Sequence, residues 1–267
     1  MNDLEKLLKW FDDKEKVLIS LSGGVDSALV AYAANKKLSK NAIAVTADYK
    51  TLSSEELDSA KSIAREIGIT HHIIEYSELE NENFVRNDNK RCFYCRDKLS
   101  KELIKFSNSL RIETIVDGTQ SDDMGDYRPG IDALHGNGIR SPLLEMKFTK
   151  ELVRKTAKHV GLSIYDKPSN SCLASRIPWG QRVTAERLVR IELAEKMIKQ
   201  KTGIKQVRVR DIDGLARIEV ALEQLNLLDN AETRNEIFSK FKMIGFSNVE
   251  IDSNGYTSGK LNVILEN

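Results

Sequence analysis

Along the first half of the chain, short unbroken apolar runs are separated by stretches with helical spacing. The runs at 17–21 (V-L-I-S-L), 42–49 (A-I-A-V-T-A-D-Y), 72–76 (H-I-I-E-Y) and 114–118 (T-I-V-D-G) each read as a strand buried on both faces. Between them lie a helical pattern reaching about residue 38 and a helix opened by a capping box of Ser53 and Glu56, closing near Gly68. Apolar residues at i, i+3, i+4 predict a third helix over 93–110, and a further one spans 149–160. This alternation predicts right-handed βαβ units, hence an α/β fold with a doubly wound parallel sheet. Such a sheet holds ligands beyond the carboxyl ends of its strands, where Ser22, Asp48 and Gly118 fall.

The period then changes. All four prolines (129, 142, 168 and 178) lie in an irregular zone, 119–184, too long and too patterned for a plain linker. Beyond it Leu188, Ile191, Ala194 and Ile198 mark a helix, and 206–211 and 216–222 alternate as strands around Asp213-Gly214. A helix over 232–244 and strands at 248–252 and 261–265 complete a small α+β domain. The expected division is an N-terminal α/β domain at 1–167, a linker at 168–183 and a C-terminal domain at 184–267.

Composition narrows the class. The chain has 267 residues, enough for one large domain or two modest ones, with 40% apolar and 30% charged residues. A formal charge of +1 makes no global case for nucleic acid. No apolar run is long enough for a bilayer, and the N-terminus reads as an amphipathic helix (Leu4, Leu7, Leu8, Phe11) rather than a secretory signal, so a cytoplasmic protein is expected. Three cysteines in a reducing compartment argue for metal or sulfur chemistry over disulfides.

The chemistry starts at S-G-G-V-D-S, 22–27, between the first strand and its helix. A strand–glycine–helix junction leaves backbone N–H groups at a helix N-terminus, where an anion is favoured. Gly23 and Gly24 let backbone approach a phosphate, while Ser22 and Ser27 add hydroxyl donors. No Gly-Lys-Ser/Thr follows, so this is not a Walker A loop. The hexapeptide resembles the PP-loop of enzymes that split ATP into AMP and pyrophosphate. Asp26 is then expected to hold Mg²⁺ across the pyrophosphate.

Cys92 and Cys95 form R-C-F-Y-C-R at the start of a helix, and Cys172 lies in P-S-N-S-C-L-A-S-R. Three thiolates can ligate three irons of a [4Fe-4S] cluster and leave the fourth open. They can equally hold zinc with one of His71, His72, His135 or His159, or divide into a redox pair and a separate Cys172. Arg91, Arg96 and the helix N-terminus are expected to favour thiolates at Cys92 and Cys95.

Three further stretches follow in order: D-G-T-Q-S-D-D-M-G-D-Y-R-P-G (117–130), I-R-S-P-L-L-E (139–145) and D-K-P-S-N-S-C-L-A-S-R-I-P-W-G (166–180). Together with the loop they resemble the LarE family of ATP-dependent sulfur transferases, which serve nickel-pincer nucleotide cofactor biosynthesis, and the resemblance covers essentially the whole chain. It implies adenylation of a pyridinium carboxylate mononucleotide and delivery of sulfur to form a thiocarboxylate. Some members sacrifice the cysteine that Cys172 matches and end with dehydroalanine. Others, with two more cysteines, are thought to bind a [4Fe-4S] cluster, and Cys92 and Cys95 align this chain with those.

The implied site comprises Cys172, Cys92, Cys95, Asp26 and Arg176 as catalytic residues. Ser22, Gly23, Gly24, Asp26, Ser27, Asp48, Gly118 and Thr119 would bind the nucleotide. Arg208, Arg210 and Glu219 would bind a substrate phosphate near a subunit junction. ATP, Mg²⁺ and the cluster are the implied cofactors. The implied partners are a small carboxylate nucleotide, sulfide or another sulfur donor, and further copies of the chain in a hexamer, without membrane or nucleic acid. Asp117, Asp122 and Asp123 could touch metal or ribose, Trp179 the active site, and Phe93 or Tyr94 a ring, whereas His135 and His159 read as structural or surface residues. A surface Arg–Glu ladder is the bland alternative for the V-R-V-R strand. The rival activities are tRNA thiolation, which also pairs a PP-loop with three cysteines, an ammonia-using PP-loop synthetase and a non-catalytic nucleotide sensor.

Overall fold

A computed structural model describes residues 3–125 and 129–257. The expected strand at 261–265 lies outside the described residues. The chain forms two compact units, Met1–Glu78 with Cys92–Asn170, and Leu79–Arg91 with Ser171–Asn267. Sequence order does not reveal that 79–91 groups with the C-terminal half.

In the first unit, β1 (Val17–Ser20), β2 (Ala42–Tyr49), β3 (Thr70–Tyr76) and β4 (Thr114–Val116) form one parallel sheet in the order β3-β2-β1-β4. Alternate strand residues feed opposite faces, as period-two side chains must. Val17, Ile19, Ala42 and Ala44 join α1 (Asp3–Lys9), α2 (Val25–Leu38) and α3 (Ser54–Ile67) in one core. Leu18, Val45, Ala47 and Ile115 join α4 (Arg91–Ser109) and α5 (Pro129–Gly136) in the other. Ala28, Ala31, Ala33 and Ala34 are fully buried, so α2 lies close against the sheet. The first core is completed by α6 (Lys150–His159), which Thr149 caps by accepting from Leu152 N–H.

The doubly wound reading holds, but two details differ. Pro129 begins α5 and Pro142 begins a single helical turn (Pro142–Glu145), positions where a missing N–H costs nothing, so half of the prolines mark helix starts rather than irregular chain. Ser53 does cap α3, accepting from Glu56 N–H at 3.4 Å, but the Glu56 carboxylate does not close the box: it is taken by Lys167 and Asn170.

The second unit is built on α7 (Ala185–Thr202), a three-stranded sheet of β5 (Arg208–Ile212), β6 (Leu215–Glu219) and β7 (Asn248–Ile251), and α8 (Ala231–Met243). Strand β6 pairs antiparallel with β5 and parallel with β7. The β5–β6 hairpin turns at Asp213 and Gly214, both at positive φ, which matches the strand twist. The 79–91 segment is fastened into this unit by Asn87, fully buried, whose side-chain amide donates to the carbonyls of Pro178 and Gln181, each at 2.8 Å.

Candidate active site

The anion loop comes first because β1 and α2 force it into one shape. Ser22 N–H donates to Ser27 Oγ at 3.1 Å, and Ser27 Oγ donates to the Gly24 carbonyl at 3.1 Å. Gly24 is the N-cap of α2 and no side chain caps that end, so its first-turn amides are not taken by a side-chain cap. Neither Ser22 nor Asp26 is an ordinary cap here. Gly23 has φ +80°, and a Cβ on it would sit 2.5 Å from the Glu56 carbonyl. Gly118 is also obligatory: its Cβ would stand 2.6 Å from Ser27 N, wedging β4 away from α2. Its role is close packing against the loop rather than a side-chain contact.

Asp26 is the charged group of this loop. Its Oδ2 accepts from Lys150 Nζ, while its buried Oδ1 has no hydrogen-bond partner among the described residues. Burial pushes the Asp26 carboxyl above the ordinary carboxylate range, against the pull of Lys150. A buried carboxylate oxygen without a partner beside an anion loop suits a hard cation such as Mg²⁺. Lys150 was not visible as a site residue in the sequence, yet it carried a signal: a lysine opening a helix opposes the macrodipole.

The loop after β4 is knitted into itself. Asp117, 8% exposed, accepts from Thr119 N–H at 3.1 Å, from Thr119 Oγ1, and from Ser141 Oγ at 2.7 Å. Asp122 accepts from Lys150 N–H at 2.8 Å, and Asp123 from Gln120 N–H at 3.0 Å. These carboxylates shape the loop around Asp26. Thr119 is engaged with Asp117, and Asp48 is half-buried near the carboxyl end of β2, in register with Glu75.

The cysteines divide between the units. Cys92 and Cys95, both half-buried, lie one turn apart on α4 in the first, and Cys172, also free and half-buried, belongs to the second. Among the described residues no three His, Cys, Asp or Glu side chains are grouped to hold a metal. The donor chemistry of three free thiols suits a [4Fe-4S] cluster, and nothing in the described residues assembles it.

Arg91 immediately precedes Cys92 at the start of α4. Buried in the second unit, it donates to Asn87 Oδ1 at 2.6 Å and to the Ala174 carbonyl at 2.9 Å, with Trp179 stacked 4.4 Å from its guanidinium. One face of Trp179 is thereby occupied. Phe93 is 38% exposed, its ring edge-on to Tyr94 at 5.8 Å. His135 contacts Ser141 Oγ at 3.0 Å and His159 is exposed, whereas His71 contacts Thr46 Oγ1 at 2.8 Å and helps hold the end of β1.

Around Cys172 the second unit builds a positively charged interior. Cys172 precedes a short 3₁₀ turn, Leu173–Arg176. Arg176, with no exposed surface, donates to the carbonyls of Ser171 and Cys172 and to both oxygens of Glu195, at 2.8 and 3.1 Å. Arg210 donates to the Ser175 carbonyl at 2.8 Å and to Glu219 Oε2 at 2.7 and 2.9 Å. Arg208 is also buried, with the Tyr256 ring 5.4 Å from its guanidinium. Arg176 thus pairs with Glu195 and Arg210 with Glu219. Burial, then the proximity of Arg176, holds the Arg208 pKa below its ordinary value. A solvent-facing Arg–Glu ladder is excluded: Arg208, Arg210 and Glu219 are at most 7% exposed.

Comparison with known proteins agrees with this anatomy. The asparagine synthase family matches residues 11–97. An uncharacterized protein of Synechocystis is 40% identical over 98% of this chain and 97% of its own length. The pyridinium-3,5-bisthiocarboxylic acid mononucleotide synthase of Lactiplantibacillus plantarum is 30% identical over 95% of this chain and 91% of its own. The chain belongs to the LarE family. A tRNA-specific 2-thiouridylase of Rickettsia africae is 22% identical over 60% of the chain and 53% of its own. The LarE homologue and the PP-loop together make this an ATP-dependent enzyme. Among the described residues no helix is long and apolar enough to cross a membrane.

Proposed function

We propose that this protein uses ATP to adenylate a carboxylate of a pyridinium mononucleotide and then exchanges the adenylate for sulfur, giving a thiocarboxylate. The observation that carries the reading is the buried arginine group beside Cys172, within one unit. Arg208 and Arg210 alternate on β5 and are both buried, and guanidiniums suit a substrate phosphate by bidentate bonding. Arg176 and Arg210 hold the carbonyls of the same turn, so the phosphate site and the sulfur-bearing residue are rigidly linked. The similarity to the bisthiocarboxylate synthase extends through both units, whereas the similarity to the tRNA thiolase covers 60% of the chain.

In this reading the carboxylate oxygen attacks the α-phosphorus and pyrophosphate leaves. The loop amides of 22–27 and the hydroxyls of Ser22 and Ser27 hold the departing phosphates. Asp26 would hold Mg²⁺, which would supply positive charge against theirs. Sulfur then attacks the acyl carbon and AMP leaves. For the sulfur we favour Cys92, Cys95 and Cys172 as the residues that would hold a [4Fe-4S] cluster, which would supply bound sulfide.

A second route is favoured by one specific observation, the free, half-buried thiol of Cys172 on a turn whose carbonyls Arg176 and Arg210 hold. Cys172 would itself give up its sulfur and become dehydroalanine. Anaerobic purification with iron and sulfide analysis, followed by intact mass after turnover, separates the two. The cluster route predicts iron, repeated turnover with sulfide and loss of both in Cys92→Ala. A colourless protein that loses the mass of H₂S after a single turnover overturns it in favour of the sacrificial route. Failure to release pyrophosphate with any pyridinium carboxylate nucleotide overturns the reading as a whole.

A further inference from the structure

The chain passes from the first unit to the second between Asn170 and Ser171, just before Cys172. One carboxylate holds the residues leading up to that crossing. Glu56 Oε1 accepts from Asn170 Nδ2 at 3.1 Å and Glu56 Oε2 from Lys167 Nζ at 2.9 Å. Lys167 Nζ also donates to Ser59 Oγ at 2.8 Å and to the Gly23 carbonyl at 2.9 Å. An ammonium has three protons, and all three are committed. Pro168 stiffens the short path from Lys167 to Asn170 by fixing its own φ.

The Gly23 carbonyl matters because of what shares its peptide plane. A trans peptide is rigid, so the direction of Gly23 C=O fixes the opposite direction of Gly24 N–H. Gly24 is the N-cap of α2, at the end where the loop meets an anion. A cation on the carbonyl side and an anion on the N–H side polarise the same amide in the same sense, so each strengthens the other's hydrogen bond. Coupling of this kind is reciprocal.

We propose that Lys167 is a positioning residue that transmits pyrophosphate occupancy of the 22–27 loop to the segment carrying Cys172. It does so through the Gly23–Gly24 peptide on one side and the Glu56 clamp on 167–170 on the other. The inference rests on the proposed function for the importance of Cys172, but its test involves no acceptor and no sulfur. If the sulfur-transfer reading fails, the coupling is still measurable.

The test is hydrogen–deuterium exchange of the full-length protein with and without saturating magnesium pyrophosphate, followed in the peptide 168–176. In the wild type, pyrophosphate should slow exchange there by about threefold or more, because exchange rates report the local opening that the clamp opposes. In Lys167→Met the slowing should vanish. Glu56→Gln keeps the Gly23 contact of Lys167 and should bind pyrophosphate like the wild type, measured by calorimetry, while the response at 168–176 shrinks. If Lys167→Met does not fold, Glu56→Gln carries the test alone. A wild-type peptide indifferent to pyrophosphate overturns the proposal. So does faster exchange in the variants with the pyrophosphate response intact, since that is the behaviour of a purely structural clip.

Discussion

Each unit buries a charged group whose pKa is shifted toward the neutral form, and the two are opposite in sign. In the first, Asp26 is buried against a single lysine and its carboxyl is driven toward the neutral form. In the second, Arg176 pairs with Glu195 and Arg210 with Glu219, and Arg208 is driven toward the neutral form. In the proposed function the first centre takes a cation and the second an anion. Stability would be better served by neutral side chains at both, since buried charges recover their desolvation cost only with complete partners. In the proposed function, charge retained against that cost serves binding in both units.

The largest break is Asp26→Asn. Pyrophosphate release should fall by about 10³-fold, the scale of losing one electrostatic contact to the transition state. Thermal stability without nucleotide should rise at neutral pH. The sign follows from the raised pKa: the folded protein binds the proton more tightly than the unfolded chain, so the ionised form costs stability above the unfolded-state pKa. The gain from Asn should therefore shrink as pH falls below that range and Asp26 protonates. Melting curves at neutral and acid pH decide this, and a variant less stable at neutral pH would remove Asp26 from the comparison.

The arginines should separate from one another. Arg210→Ala leaves Glu219 buried without its partner and should cost about 3–5 kcal/mol in denaturant unfolding. Arg208→Gln should leave stability unchanged or raise it, because a charge disfavoured by burial and by Arg176 is gone. The same Arg208→Gln should weaken binding of the phosphate-bearing acceptor by about 10–100-fold, the worth of a charged hydrogen bond, with the KM for ATP unchanged. Equal destabilisation by the two substitutions would show that the second unit holds a structural ion network instead of an anion site.

How much of this was legible in the sequence follows from how local each feature is. The parallel sheet was, because buried strands and capped helices are written in adjacent residues; β2 and the Thr149 cap fall where the pattern put them. The anion loop was legible for the same reason. Lys150 and Lys167 were not, since each meets its partner across more than a hundred residues, and no local period records such a meeting. The partners of Arg91 were not legible either: it precedes Cys92 in the chain, while in space it meets Ala174 and Trp179. The burial of Arg208 and Arg210 was hidden because an alternating charged strand reads as a surface until something covers its charged face.

Lys150→Met sharpens the first centre further. Without the ammonium, burial acts on Asp26 unopposed, so its carboxyl pKa should rise beyond its already raised value. Because Asp26 must be ionised to hold Mg²⁺, the acid limb of pyrophosphate release should move to higher pH, and excess Mg²⁺ should partly restore the rate. A pH profile superimposable on the wild type would mean that Lys150 does not set the charge of Asp26.

The smallest effect belongs to a charge that is already complete. Arg91 is 5% exposed, bonded to Asn87 and Ala174 and stacked on Trp179, and all of these lie in the second unit. Arg91→Lys keeps the charge and loses the planar stack and one of the hydrogen bonds, which should cost about 1 kcal/mol. Since no charge balance changes, the KM for ATP and for the acceptor should stay as they are, and only the melting temperature should fall. If instead acceptor binding weakened as much as in Arg208→Gln, the positive centre would extend to Arg91, and the line between complete and incomplete charge would have to be redrawn around the 79–91 segment.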